Sequence, residues 1–277
     1  MTSSARAFKV AYAVGLIVFL AIVVFPFYWI LATSLKGFDA IYTYPPQFIP
    51  LRPTLANYRD VFVQLPFATY LKNSFIVSTV ATLITVFAGS LAAYSIARIL
   101  VKQRGKVLFI FLLVSMFPGI IIISPMFRVF MELNWLNSYQ ALVIPNVALA
   151  LPLTLWILTA FFTQLPLELE EAARVDGCSR LQALSRIVVP LAAPGVFTAA
   201  ILAFIATWND FLFSLIFNTR DEVRTATVGL VLFPGQYTYP WGDITAATVL
   251  ITMPLVVMVL LLQRWIIAGL TAGAVKG

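Results

Sequence analysis

The sequence predicts an all-α fold threaded through a membrane, a polytopic protein with six transmembrane helices, and three observations predict it. Apolar residues fill 61% of the 277 positions, charged residues only 10%, and the mean hydropathy is +0.97, where a soluble domain carries about 25% charged residues. Six runs are apolar enough to cross about 30 Å of hydrocarbon, which takes about 20 helical residues. They fall at about 11–33, 70–97, 107–127, 141–162, 194–217 and 244–265. Basic residues also crowd the loops on one side of these spans.

The first span comes after Arg6 and Lys9. It is too long for the apolar core of a signal peptide and lacks a small-residue cleavage site, so it reads as an uncleaved anchor behind a cytoplasmic segment, 1–10. The outer loop 37–68 contains Pro45, Pro46, Pro50, Pro53 and Pro66, and its stretch Leu55 to Phe62 has the amphipathic pattern of a short interfacial helix. Spans three, four and six carry Pro118, Pro125, Pro145, Pro152 and Pro254 within or near their ends. A missing N–H and a ring clash kink such helices, and the freed carbonyls need neighbours or a water-lined cavity. Trp135 and Tyr139, then Tyr237, Tyr239 and Trp241, read as an interfacial aromatic belt.

Charge sets the orientation. With the N-terminus inside, eleven basic residues face the cytoplasm: Arg6, Lys9, Arg98, Lys102, Arg104, Lys106, Arg174, Arg180, Arg186, Arg264 and Lys276. The cluster Arg98 to Lys106 is the clearest mark of the inner side. Both termini, the loop 163–193 and the tail 266–277 then lie in the cytoplasm. The net charge of +7 is thus a matter of topology, and no nucleic-acid partner is expected.

Composition also excludes chemistry. Histidine is absent and Cys178 is the sole cysteine, which rules out a disulfide within the chain, thiolate or histidine metal sites and every Ser-His or Cys-His triad. No glycine loop ends in the Lys-Ser/Thr that cradles phosphates. ATP hydrolysis, if the protein uses it, belongs to another chain.

The loop 163–193 holds the most informative pattern. Glu171-Ala172-Ala173 is followed after three residues by Gly177, and after nine more by Ile187-Val188-Val189-Pro190. Pro166 suits the first turn of a helix, where no N–H is needed. Glu168, Glu170 and Glu171 favour the positive pole of its dipole, and Gly177 is a left-handed stop. Ser179-Arg180-Leu181-Gln182 has the form of a capping box. It starts a second helix that runs to Pro190, with Leu181, Leu184, Val188 and Leu191 at helical spacing for packing. The expected shape is helix, sharp turn, helix, with a small charged tip that fits a cleft on a soluble partner.

That spacing resembles the EAA loop of the membrane subunits of ABC importers. Other segments narrow the resemblance to the second permease of carbohydrate importers, the type found in the maltose transporter. Lys72-Asn73-Ser74 opens the second span in that manner. Trp208-Asn209-Asp210-Phe211 is similar to the family's WNE/DF element, and the ending from Gln263-Arg264-Trp265 through Gly269 to Gly277 is similar to its tail. Val189 stands where the family often has Leu. Among sugar importers the trehalose-type system of actinobacteria is the nearest in character, though no single residue decides it.

The resemblance implies a heterodimer with a homologous permease in the lipid of a prokaryotic plasma (inner) membrane, an ATPase dimer carrying ATP and Mg in the cytoplasm, and an extracytoplasmic sugar-binding (lipo)protein. It implies no cofactor and no catalysis on this chain. By the same resemblance Glu170, Glu171, Ala172, Ala173, Asp176, Gly177, Ile187 and Pro190 couple to the ATPase, and Thr271, Gly273 and Lys276 in the tail touch it. Asn73, Trp208, Asn209 and Asp210 are the candidates for the translocation path. For Asn209 and Asp210, interhelical packing is the competing reading. Two rivals stand beside this function. One is an ABC permease for a non-sugar solute. The other is an ion-coupled secondary transporter, for which the spans supply little beyond Asp210.

Overall fold

The computed structural model describes residues 3–233 and 239–272. Among the described residues all regular structure is helical. The principal helices are α1 (Ser3–Ser34), α2 (Ala56–Gln64), α3 (Phe67–Arg98), α4 (Arg104–Ser115), α5 (Gly119–Glu132), α6 (Gln140–Gln164), α7 (Glu168–Val175), α8 (Arg180–Leu191), α9 (Ala193–Trp208), α10 (Leu212–Phe217) and α11 (Trp241–Ala272). Four unbroken stretches are long and apolar enough to cross a membrane: Ala11–Ser34, Phe67–Arg98, Gln140–Gln164 and Trp241–Arg264. Pro145 and Pro152 sit inside α6, and Pro254 inside α11, without ending either helix.

Two of the six expected spans are not single rods. The third, read as 107–127, is α4 and α5 bent by 82°. Pro118 stands at the break with φ −58° and ψ 127°. Its ring disfavours helical backbone at Phe117, and it has no N–H to offer the turn before it. The fifth, read as 194–217, divides into α9 and α10 at Asn209-Asp210-Phe211. There the Asn209 side chain donates back to the Ile205 carbonyl at 2.8 Å. The Asp210 carboxylate accepts from the Phe213 and Ser214 N–H groups, both at 3.3 Å, and so caps α10. Short polar side chains that compete for backbone partners end helices in this way.

The chain divides into two compact units. The first comprises Met1–Phe67 and Leu230–Pro254. No residue in the most apolar stretch of α1 is buried within the chain, as expected of a helix whose solvent is lipid. The expected amphipathic helix is α2, and Asn57 fastens it by donating to the Ser34 and Lys36 carbonyls, each at 2.8 Å. The Lys36 ammonium lies 4.2 Å from the Trp29 ring centroid, a cation–π contact, and burial pulls its pKa down.

The second unit comprises Ala68–Gly229 and Leu255–Gly277. One apolar cluster joins α3, α6, α8 and α9 through Ala93, Tyr94, Leu158, Phe162, Leu184, Val188 and Ala199. Another joins α5, α6 and α10 through Ile123, Phe130, Leu142, Phe213 and Phe217. Close approach depends on glycine at Gly195, where a Cβ would stand 2.3 Å from the Phe161 ring.

Candidate functional site

The loop after α6 is a tightly specified hairpin. Leu167 caps α7, its carbonyl accepting from Glu170 N at 2.9 Å and Glu171 N at 3.1 Å. Pro166 therefore lies one residue ahead of the cap rather than in the first turn, which Glu168, Glu170 and Glu171 occupy. At the other end Cys178 N–H reaches the Ala173 carbonyl (2.9 Å) and Gly177 N–H the Arg174 carbonyl (3.1 Å). These two bonds make a Schellman closure. It requires a left-handed residue, and Gly177 has φ +88°. Ser179 and Gln182 then form the expected capping box, with Gln182 N–H donating to Ser179 Oγ (3.3 Å) and Ser179 N–H to Gln182 Oε1 (2.7 Å).

The second helix, α8, departs from the expected packing. Leu184 and Val188 are buried, but Leu181 and Leu191 are exposed, and Ala183 and Ala192 complete the buried face. A π-turn over Leu184–Val188 explains part of the difference. Pro190 has no N–H for the Arg186 carbonyl, and its ring crowds that oxygen, so the ladder widens there and shifts the register of the helix beyond it. Ile187 is half-buried and Pro190 exposed. Leu181 instead faces an apolar groove of about 650 Å³ shared with Phe87 and Leu91.

The acidic end of α7 splits in two. Glu170 is 4% exposed. Its Oε1 accepts from Arg98 Nε at 2.5 Å and its Oε2 from the Tyr94 hydroxyl at 2.9 Å. Arg98 Nη2 also donates to the Leu165 carbonyl at 3.0 Å. Glu171, Ala172 and Asp176 are exposed, whereas Ala173 is buried. The exposed tip thus presents Glu171, Ala172, Arg174, Val175 and Asp176. The sequence alone groups Glu170 with the outward acids and offers Arg98 only as a mark of topology. The signal it does carry is the pair Tyr94 and Arg98, four apart and therefore on one helix face.

The four path candidates occupy different settings. Asn73, 1% exposed, donates to the Glu222 and Arg224 carbonyls (2.9 and 2.8 Å) and accepts from the Tyr139 hydroxyl (2.8 Å). It pins the 222–224 segment. Beside it Ser74 Oγ accepts from Ala226 N at 2.9 Å. Trp208 is buried and stacks on Phe204 with centroids 5.6 Å apart. Asn209 is exposed, Asp210 is half-buried, and both serve the helix break. Tyr70, with its hydroxyl 2.7 Å from Asp221 Oδ1, adds a second tie between α3 and the 221–224 segment. Thr271 lies in the last turn of α11, while Gly273, Lys276 and Tyr237 fall outside the described residues.

Helical spans, one of them sharply bent and another interrupted, with a capped helical hairpin between the fourth and fifth, define a polytopic membrane protein. Residues 85–271 match the family described as binding-protein-dependent transport system inner membrane component, and the chain belongs to that family. The trehalose/maltose transport system permease protein MalG of Thermococcus litoralis is 44% identical over 272 residues, 97% of each chain. The sulfoquinovosyl glycerol transport system permease protein SmoH of Agrobacterium fabrum is 43% identical over 91% of this chain and 89% of its own. The trehalose transport system permease protein SugB of Mycobacterium tuberculosis is 39% identical over 91% and 92%. A chain of a bacterial ABC transporter that imports the acidic polysaccharide alginate has the same fold, with TM-score 0.81 at 21% identity over 95% of this chain and 98% of that one. A permease subunit of this kind is non-catalytic, and ATP hydrolysis resides on a separate chain.

Proposed function

We propose that this chain forms half of the translocation pathway of an ATP-driven, binding-protein-dependent sugar importer, and that residues 163–193 transmit force to it. The solute is a glycoside such as trehalose or a maltose-type oligosaccharide. That reading is supported by the named substrates of the trehalose/maltose and trehalose relatives. The relative for sulfoquinovosyl glycerol supports the glycoside class rather than one sugar. A homologous permease completes the path, an ATPase dimer with ATP and Mg docks at the hairpin tip, and an extracytoplasmic binding protein delivers the solute.

The segment 1–10, the hairpin and the tail 266–277 face the cytoplasm in this arrangement, and 11–265 forms the permease domain. One observation carries the reading. The hairpin is capped on both sides of its turn, by the Schellman bonds at Gly177 and Cys178 and by the Ser179–Gln182 box, and still leaves a small charged tip exposed. An ordinary solvated loop has no need of both caps. Asn73, Trp208, Asn209 and Asp210 act by shaping the spans that line the path.

Reconstitution of the permease pair with its ATPase and binding protein tests the proposal. Gly177→Leu or Glu171→Lys should abolish uptake while leaving membrane insertion intact. Normal solute-stimulated ATP hydrolysis in either variant would overturn it. Uptake of labelled trehalose, maltose and sulfoquinovosyl glycerol, compared side by side, identifies the solute.

A further inference from the structure

We propose that Arg98, Glu170 and Tyr94 form a buried strut that makes α7 and the inner end of α3 move as one body. Glu170 and Arg98 are then positioning residues for coupling, not contacts for the ATPase. This inference rests on the role proposed above for the hairpin and adds how a displacement at its tip reaches the spans.

The geometry separates two kinds of attachment. The second helix of the hairpin packs through Ala183, Leu184 and Val188, and apolar contact of this kind has no preferred direction. It sets a distance but does not by itself fix an angle. Among the described residues the side-chain hydrogen bonds from α7 to α3 all run through Glu170. Its two oxygens take Arg98 Nε at 2.5 Å and Tyr94 Oη at 2.9 Å. Tyr94 and Arg98 are one helical turn apart, so the carboxylate is gripped at two heights on a single face. The same guanidinium reaches the Leu165 carbonyl at 3.0 Å, so it also fixes the stretch of chain that enters the hairpin. Charge-assisted bonds in a rigid fork hold angle as well as distance, and a lysine ammonium cannot reproduce that fork.

Burial completes the argument. Side-chain exposures of 11% for Arg98 and 6% for Glu170 leave little room for water to replace either partner. A hairpin that only needed to sit near the spans has no need of a desolvated ion pair there. A hairpin that must push a span without tilting does need one.

The test uses the full complex with nitroxide labels at Leu169, on α7 but outside the tip, and Leu83, both exposed, on a Cys178→Ser background. Electron spin resonance reads the distance between them in the nucleotide-free and vanadate-trapped states. The expected result is one narrow distance, unchanged by trapping. Glu170→Gln and Arg98→Lys should broaden it and lower ATP-driven uptake of the probe sugar, trehalose, at least tenfold while the ATPase still co-purifies. Tyr94→Phe, which removes one bond and no charge, should broaden it less and serves if the other two fail to insert. Variants whose distance stays as narrow as that of the unsubstituted complex would overturn the strut, and so would an unsubstituted distance that shifts on trapping. Glu171→Lys is the separate control: if it leaves ATPase binding and hydrolysis untouched, the hairpin's coupling role fails while the distance measurement still reports on the strut.

Discussion

Glu170 and Glu171 are neighbours in the chain, one turned into the protein and the other out of it. The first is buried between Arg98 and Tyr94, whereas the second is exposed at the start of the hairpin tip. Glu170→Ala would strand the Arg98 charge, a loss of about 3–5 kcal/mol for a broken buried pair. Glu171→Ala should stay within about 0.5 kcal/mol, as surface substitutions do. Thermal unfolding of the purified protein in detergent distinguishes them, and equal shifts would contradict the burial difference.

Gly177 is held by its backbone alone. No heavy atom lies within 4 Å of the place a Cβ would take, yet φ is +88°. The left-handed conformation costs roughly 1–2 kcal/mol for an ordinary residue. Gly177→Asn should therefore keep most transport and Gly177→Val little, because Asn tolerates that conformation and a β-branched side chain does not. Uptake by the two variants at matched expression checks this order.

Gly195 is held by contact instead. Carbons of the Phe161 ring would stand 2.3, 2.4 and 2.9 Å from a new Cβ, so Gly195→Ala must shift the ring or separate α6 from α9. Overpacking of this kind costs about 1–3 kcal/mol. A melting temperature equal to that of the unsubstituted protein would show that the interface yields freely.

Acid should loosen the 219–225 segment. The Asp221 carboxylate is held below the usual aspartate range, first by the Tyr70 hydroxyl and also by Arg224. Its stabilising effect is present above the unfolded aspartate pKa of about 3.9 and is lost as pH falls through the lower folded value. Amide exchange in residues 219–225 should rise below about pH 4 in the unsubstituted protein. In Asp221→Asn it should be raised already at neutral pH and respond less to acid.

Asp210 tests the energy source. As a cap on α10 it should tolerate Asn and lose about 1 kcal/mol on replacement by Ala. An ATP-driven importer with Asp210→Asn should keep most of its uptake when the proton gradient is dissipated and ATP is sustained. Collapse of uptake in the unsubstituted protein under those conditions would favour ion coupling.

The parts of this structure legible in the sequence are the local ones. Gly177, the Ser179–Gln182 box and the four unbroken spans each declare themselves within a few residues, through backbone preference or hydropathy. Pro118 reads as one expected kink among five, and nothing local marks it as the break, because Phe117 and Ile120 keep the hydropathy high across it and the prolines inside α6 and α11 end nothing. The sign of a proline's effect depends on which neighbours satisfy the freed carbonyls. The Arg98–Glu170 pair is out of reach for a different reason. Its members lie 72 positions apart, and only the packing of α3 against the hairpin tells which of two adjacent glutamates turns inward. The outward Leu181 is hidden likewise, since helical spacing records which residues share a face but not what that face meets.

Cys178 has a practical use that comes from its place. It is the chain's sole thiol, half-buried one position beyond the left-handed glycine, where its own N–H helps close the turn. A maleimide dye can thus be attached at a single defined point without mutagenesis. Its emission would test, in the native sequence, whether the proposed motor engages this turn.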